Sequence, residues 1–251
     1  MKILACYSNK GGVGKTATAV NLAHAFATSG LQVLLCDLDP QGASGFYFRV
    51  KPSKKLSEAQ FFEDVARLTQ AIRASDYDGL DILPANMGFR DFDVFLSRMR
   101  DKRSRLKKAL MAIGGDYDLI LLDCPPNIST LSENVFRAAD GVVVPVIPTT
   151  LSERTFEQLV AFFAEHDLPK AKLLGVFSMV QTNKTLHSQT MKALTSAHKK
   201  RFLKARVPFA SEIERMGVHR APLLATAPQG VAAKAYRDLA AEILDRLASV
   251  K

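Results

Sequence analysis

Short apolar runs recur along the chain at residues 2–7, 33–38, 81–84, 119–123, 142–147 and 173–179, and they are nearly continuous rather than alternating. A continuous run of this length predicts a strand buried on both faces. Between them, apolar positions return at helical spacing over residues 16–29, 61–74, 91–113, 129–138 and 152–166. Strand and helix in alternation predict an α/β fold: a doubly wound, mostly parallel sheet flanked by helices. Farther along, residues 186–202 predict another helix, 207–209 a short strand or loop, and about 232–250 a last helix with Leu239, Ile243, Leu244 and Leu247 on one face. No Pro/Gly/Ser-rich linker or repeat divides the chain, so residues 1–251 are expected to form one domain.

Composition adds limits. The 251 residues, 47% of them hydrophobic, suffice for a core without disulfide or metal staples. No apolar run reaches the length of a membrane span. The first apolar run leads straight into a glycine-rich loop, which reads as a strand and not a signal peptide, so a cytoplasmic location is expected. Cys6, Cys36 and Cys124 lie in or just after expected strands and read as small buried hydrophobes.

The formal charge is +9, with 34 Lys and Arg against 25 Asp and Glu. Residues 168–211 hold nine basic residues and no acid, which equals the whole net charge. An uncompensated field of this kind predicts a polyanionic partner, because phosphate contacts release counterions without a base-reading motif. A second basic cluster runs from Arg98 to Lys108 with Asp101 as its one acid; acids elsewhere offset it, and a solvated helix face is the plainer reading.

The strongest local signal is Lys10-Gly11-Gly12-Val13-Gly14-Lys15-Thr16, placed after an expected strand and before an expected helix. Glycines let backbone N–H groups turn inward around phosphate oxygens, and the helix N-terminus adds its positive dipole end. Lys15 is expected at the β and γ phosphates, and the Thr16 hydroxyl on magnesium. Two acidic motifs follow. Leu-Leu-Cys-Asp-Leu-Asp-Pro-Gln-Gly ends a strand at Asp37 and sets Asp39 just beyond it, near an attacking water and the metal shell. Asp-Leu-Ile-Leu-Leu-Asp-Cys-Pro-Pro closes another strand on Asp123, followed by the stiff Pro125-Pro126. A carboxylate at such a strand end can hold magnesium through water; as loop caps, Asp37 and Asp39 would have a purely structural use.

Asn9 stands where the usual phosphate loop has glycine, and it comes with a second lysine, Lys10. With this loop and the two acidic motifs, the chain resembles the ParA/MinD family of deviant Walker A ATPases, over residues 2 to about 247. The resemblance implies ATP and Mg2+ as cofactors. It implies nucleotide contacts from Lys10 through Ala17, a catalytic group of Lys10, Lys15 and Asp39, and metal contacts from Thr16, Asp39 and Asp123. It further implies that Lys10 reaches the partner's ATP in a nucleotide-sandwich homodimer. The family's base pocket corresponds to Thr182-Asn183 and to Val207, Pro208 and Phe209, with Asn183 toward the adenine edge or in a loop with no ligand. The glycine and proline region, residues 210–222, aligns only loosely, with Gly217 displaced.

ParA-like members bind nucleoid DNA without sequence preference as ATP dimers. They release it when a ParB-like or cargo-adaptor protein stimulates slow hydrolysis, and so position a cargo. MinD-like members reach the membrane through a basic terminal helix. The acid-free segment favours DNA, with Lys199, Lys200, Arg201, Lys204 and Arg206 as expected phosphate contacts and Arg215 and Arg220 as additions. Asp238, Glu242 and Asp245 on the last helix disfavour an anionic membrane, so no stable membrane insertion and a nucleoid-associated location are expected. A metabolic kinase or synthetase, an iron–sulfur reductase and a binding module without turnover remain the rival readings.

Overall fold

The computed structural model describes residues 1–52, 56–100 and 102–249. Its centre is an eight-stranded sheet made of β1 (Lys2–Cys6), β2 (Val33–Asp37), β3 (Arg73–Ala74), β4 (Leu80–Leu83), β5 (Leu119–Asp123), β6 (Gly141–Val146), β7 (Leu173–Val180) and β8 (Phe202–Pro208). The order is β3-β4-β2-β5-β1-β6-β7-β8. Every pairing is parallel except β3 with β4.

The helices are α1 (Lys15–Thr28), α2 (Ala43–Tyr47), α3 (Glu58–Glu63), α4 (Val65–Ala71), α5 (Phe92–Arg98), α6 (Arg105–Ile113), α7 (Thr130–Ala138), α8 (Thr150–Glu165), α9 (Thr185–Ala197), α10 (Ser211–His219), α11 (Leu223–Thr226) and α12 (Val231–Ser249). Side chains of the inner strands alternate between two cores. In β5, Leu119 and Leu121 join α1 and α12 on one face, while Ile120 and Leu122 join α6 to α9 on the other. Two covered faces explain the unbroken apolar strands.

The six apolar strands and the helices at 16–29, 129–138 and 152–166 stand within two residues of their expected bounds, whereas the strand or loop expected at 207–209 begins five residues earlier, at Phe202. Three expected helices differ. Residues 61–74 divide at Asp64, which leaves helical geometry and turns its carboxylate to cap α4 at the Arg67 amide (3.0 Å); Arg73–Ala74 then pair with β4. Periodicity could not show the break, because Phe61, Phe62, Leu68 and Ala71 are buried across it. Residues 91–113 divide into α5 and α6, with Met99 extended between them; Asp101 lies outside the described residues.

Residues 186–202 end as helix at Ala197, and Phe202 opens β8 instead. The Phe202 ring stacks on Phe177 (4.5 Å between centroids) over Gly175, where an added Cβ would sit 2.9 Å from the ring. The last helix is described to Ser249, and Val250 lies outside the described residues.

Candidate functional site

β1 lies between β5 and β6, so the chain leaves the sheet in opposite directions on its two sides, and a crevice opens at the C-terminal strand ends. The glycine loop fills that crevice. Gly12 and Gly14 take φ values of +73° and +88°, a region side chains rarely enter. An added Cβ at Gly14 would come within 3.2 Å of Ser178 Oγ, whereas Gly11 and Gly12 face open space. Gly14 starts α1 without a side-chain cap and no acid lies in the first turn, so the first N–H groups point at the mouth of the loop. Lys15 is 9% exposed.

Asp37 and Asp123 are register partners on β2 and β5, and both are fully buried. Their roles differ. Asp37 Oδ1 accepts from the Asp39 amide (3.1 Å), and its Oδ2 from the Ser44 amide (3.0 Å), so it holds the turn. Asp123 Oδ2 accepts from Ser44 Oγ (2.8 Å), but its Oδ1 is buried without a hydrogen-bond partner among the described residues. Burial pushes the Asp123 carboxyl up to about 6, against the opposing pull of the Ser44 and Thr16 hydroxyls and the Lys15 charge. Burial and the neighbouring Asp123 raise Asp37 as well.

An orphaned carboxylate oxygen beside a hydroxyl and a phosphate-binding loop fits magnesium. Among the described residues no group of three or more His, Cys, Asp or Glu side chains could hold an ion, so phosphate oxygens and water would have to supply most of its shell. Ser44, which ties the two motif carboxylates together, was missed in the sequence; a serine seven residues past Asp37 carries no signal of its own.

Asp39 is half-buried, and its Oδ1 accepts from the Gln41 amide (3.0 Å), a cap on its own loop. It stands near enough to Asp123 to raise that group's pKa. The Lys10 ammonium turns to the first turn of α8 and donates to Ser152 Oγ (3.4 Å) within its own protomer.

A family model for an AAA domain matches residues 1–174. The sporulation initiation inhibitor protein Soj of Bacillus subtilis is 31% identical over 248 residues, covering 96% of this chain and 98% of Soj. The chromosome-partitioning ATPase Soj of Thermus thermophilus is 33% identical, covering 97% and 96%. The chain belongs to the ParA/MinD family. Among solved structures, a cobyrinic acid a,c-diamide synthase from Mycobacterium smegmatis with bound ATP analogue and magnesium superposes with a TM-score of 0.81 and 26% identity, covering 100% and 97% of the two chains.

The residues expected at a base pocket lie at the ends of β7 and β8. Val180 pairs with Pro208, the Phe209 amide donates to Val180 O (3.0 Å), and Phe209 is 53% exposed. Asn183 is exposed in the loop that follows β7. Ser178 and Met179, just before it, stand against Gly14, so the phosphate loop and this rim adjoin.

The basic residues lie along the β8 margin. Lys204 and Arg206 are exposed on β8 itself, and Lys199 and Lys200 are exposed where α9 turns back. Arg201 is half-buried, with its guanidinium beside His198 (3.4 Å). Lys192, Lys199 and Arg206 share a groove of about 410 Å³ between α9 and β8. From the other side, Glu242 of α12 takes the amides of Lys204 (2.8 Å) and Ala205 (3.0 Å) where the β7–β8 register shifts. Arg220 is a tie rather than a free cation: its guanidinium covers Phe46 at 4.7 Å and donates to Phe46 O (3.3 Å). Arg215 is exposed on α10. In the second basic cluster, Arg103 pairs with Glu133 and Arg105 with Glu63. No described helix is long and apolar enough to cross a membrane.

Proposed function

We propose that the protein is a ParA-like ATPase that hydrolyses ATP with Mg2+, closes as a nucleotide-sandwich dimer, grips duplex DNA without sequence preference and lets go on hydrolysis. The observation that carries this reading is the two-lysine loop set against the orphaned Asp123 oxygen, in a chain similar over nearly its whole length to chromosome-partitioning ATPases.

The loop amides and Lys15 bind the triphosphate. Thr16 and Asp123 would hold magnesium, with Asp39 near its shell, and its charge would offset the negative charge on phosphate oxygens. Asp39 orients the attacking water, which requires that its carboxylate leave the Gln41 amide. Lys10 leaves Ser152 for the partner's phosphates, so full activity waits on dimer closure. Asn183, Pro208 and Phe209 receive the base. Lys199, Lys200, Arg201, Lys204 and Arg206 meet phosphates of nucleoid DNA, and doubling the basic margin on closure strengthens the grip. A ParB-like or adaptor protein speeds a slow intrinsic turnover, and a cargo is positioned as a result.

The test is a gel shift of duplex DNA at fixed salt with ADP, ATP or a non-hydrolysable analogue. A shift confined to the triphosphate states, and lost in Lys10→Ala, supports the reading. Equal shifts in all states sink it, and binding to anionic liposomes instead of DNA favours a MinD-like role. The synthase neighbour gives one further alternative, which product analysis showing ATP-dependent amidation or phosphorylation of a small molecule would select.

A further inference from the structure

The proposed function uses the C-terminal ends of the strands and the β8 margin. At the opposite end of the sheet, beside the first residues of β6 and β7, a cavity of about 430 Å³ opens between the turn after α9 and the end of α12. Ala171, Leu174 and Leu247 give it apolar walls, while five cations, Lys172, Lys199, Lys200, Arg201 and Arg246, surround them. Its one acid among the described residues, Asp140, is engaged by the Ile3 amide (2.8 Å).

Two of the cations are poorly solvated. The half-buried Lys172 ammonium donates to the carbonyls of Phe136 (3.1 Å) and Arg137 (3.4 Å), and burial holds it below the ordinary lysine range. Arg201 Nε is buried without a hydrogen-bond partner among the described residues.

We infer that this cavity is a second anion site, built for a small phosphorylated compound of nucleotide size. Its volume falls within the range of about 300–1,000 Å³ usual for small-molecule sites, and apolar walls with a few convergent charges are the usual lining. Guanidinium and ammonium groups bind phosphate through charge-assisted hydrogen bonds, so the exposed Lys199 and Lys200 ammonium groups, with the Arg246 guanidinium that already donates to Lys200 O (2.5 Å), would hold the phosphates. A DNA duplex is a convex rod too wide to enter, so it reaches the rim, Lys199, Lys200 and the exposed part of Arg201, and not the interior. The compound and DNA therefore compete for that rim. The competition rests on the DNA reading; the binding does not.

The experiment is calorimetric titration of adenosine 3′,5′-bisphosphate into the whole protein at about 0.15 M salt, with saturating MgADP already filling the loop. One saturable site per protomer is expected. Arg246→Gln should weaken it by about tenfold, and Ala171→Phe, which fills the exposed mouth without changing charge, should abolish it. No saturable heat with wild type, or equal affinity in Ala171→Phe, overturns the inference, the second result meaning surface charge alone. A bisphosphate that binds as expected to a protein that shifts no DNA in any nucleotide state supports the cavity and removes only the DNA reading.

Discussion

The loop end of the sheet and its β8 margin are both candidate phosphate-binding regions, and they are built on opposite plans. At the loop end, donors are backbone amides fixed by Gly12 and Gly14, and two of the few charged groups, Asp37 and Asp123, are buried and locked together through Ser44. At the margin, donors are long exposed side chains with wide freedom, and the backbone beneath them is held from behind by Glu242. Fixed donors select one small anion in one pose. Mobile donors follow any polyphosphate, and their hold depends on salt and number. The two plans therefore differ in how they fail when one residue is removed.

At the loop end, loss should be close to total. Lys15→Ala is expected to lower phosphate release by about a hundredfold or more, as removal of one charge-stabilising donor does elsewhere, with the far-ultraviolet circular dichroism unchanged. Normal turnover in that variant would break the comparison at its stronger side. Ligand removal gives the next effect. MgADP at a hundred times its Kd should add about 2.7 kcal/mol to unfolding free energy, read by urea titration, and Lys15→Ala should erase the gain.

Between the two regions, Gly175→Ala presses a methyl into the Phe202 ring and should cost about 1–3 kcal/mol by overpacking. Because Phe202 opens β8, which carries Lys204 and Arg206, DNA affinity should fall while MgADP affinity holds. Equal losses would mean that the two regions are mechanically one. At the margin, each of Lys199, Lys200, Lys204 and Arg206 changed to Ala should lower the slope of log affinity against log salt by about one, and weaken all DNA sequences alike.

The smallest effect is the most discriminating. Glu242→Ala removes a negative charge beside the lysines, so a margin that is only a field would bind DNA more tightly. A margin that also needs its backbone held would bind more weakly, the outcome expected here, measured by fluorescence anisotropy at fixed salt.

The same contrast explains what the sequence shows. The phosphate loop and both acidic motifs are local: a few consecutive residues set the backbone and the strand end, so Lys15, Thr16, Asp37 and Asp123 could be placed on loop, helix and strand ends from the letters. The apolar strands were legible for a similar reason, since burial on both faces leaves no polar alternation. Features made by distant residues were not. The division at Asp64 hides beneath continuous burial, and β8 forms because Phe202 finds a slot over Gly175, 27 positions earlier. Ser44 and Glu242 act through contacts with no spacing rule, and the turn of Arg220 onto Phe46 needs two chain segments 174 positions apart.

One more consequence follows from Glu242. An open sheet ends in a strand whose outward amides and carbonyls invite another strand, the route by which copies add sideways without limit. Here two of those amides already have an acceptor, and Lys204 and Arg206 repel their own counterparts. Sideways growth is thereby discouraged, which suits the proposed dimer, since a twofold encounter at the loop end would close on itself and stop the count at two.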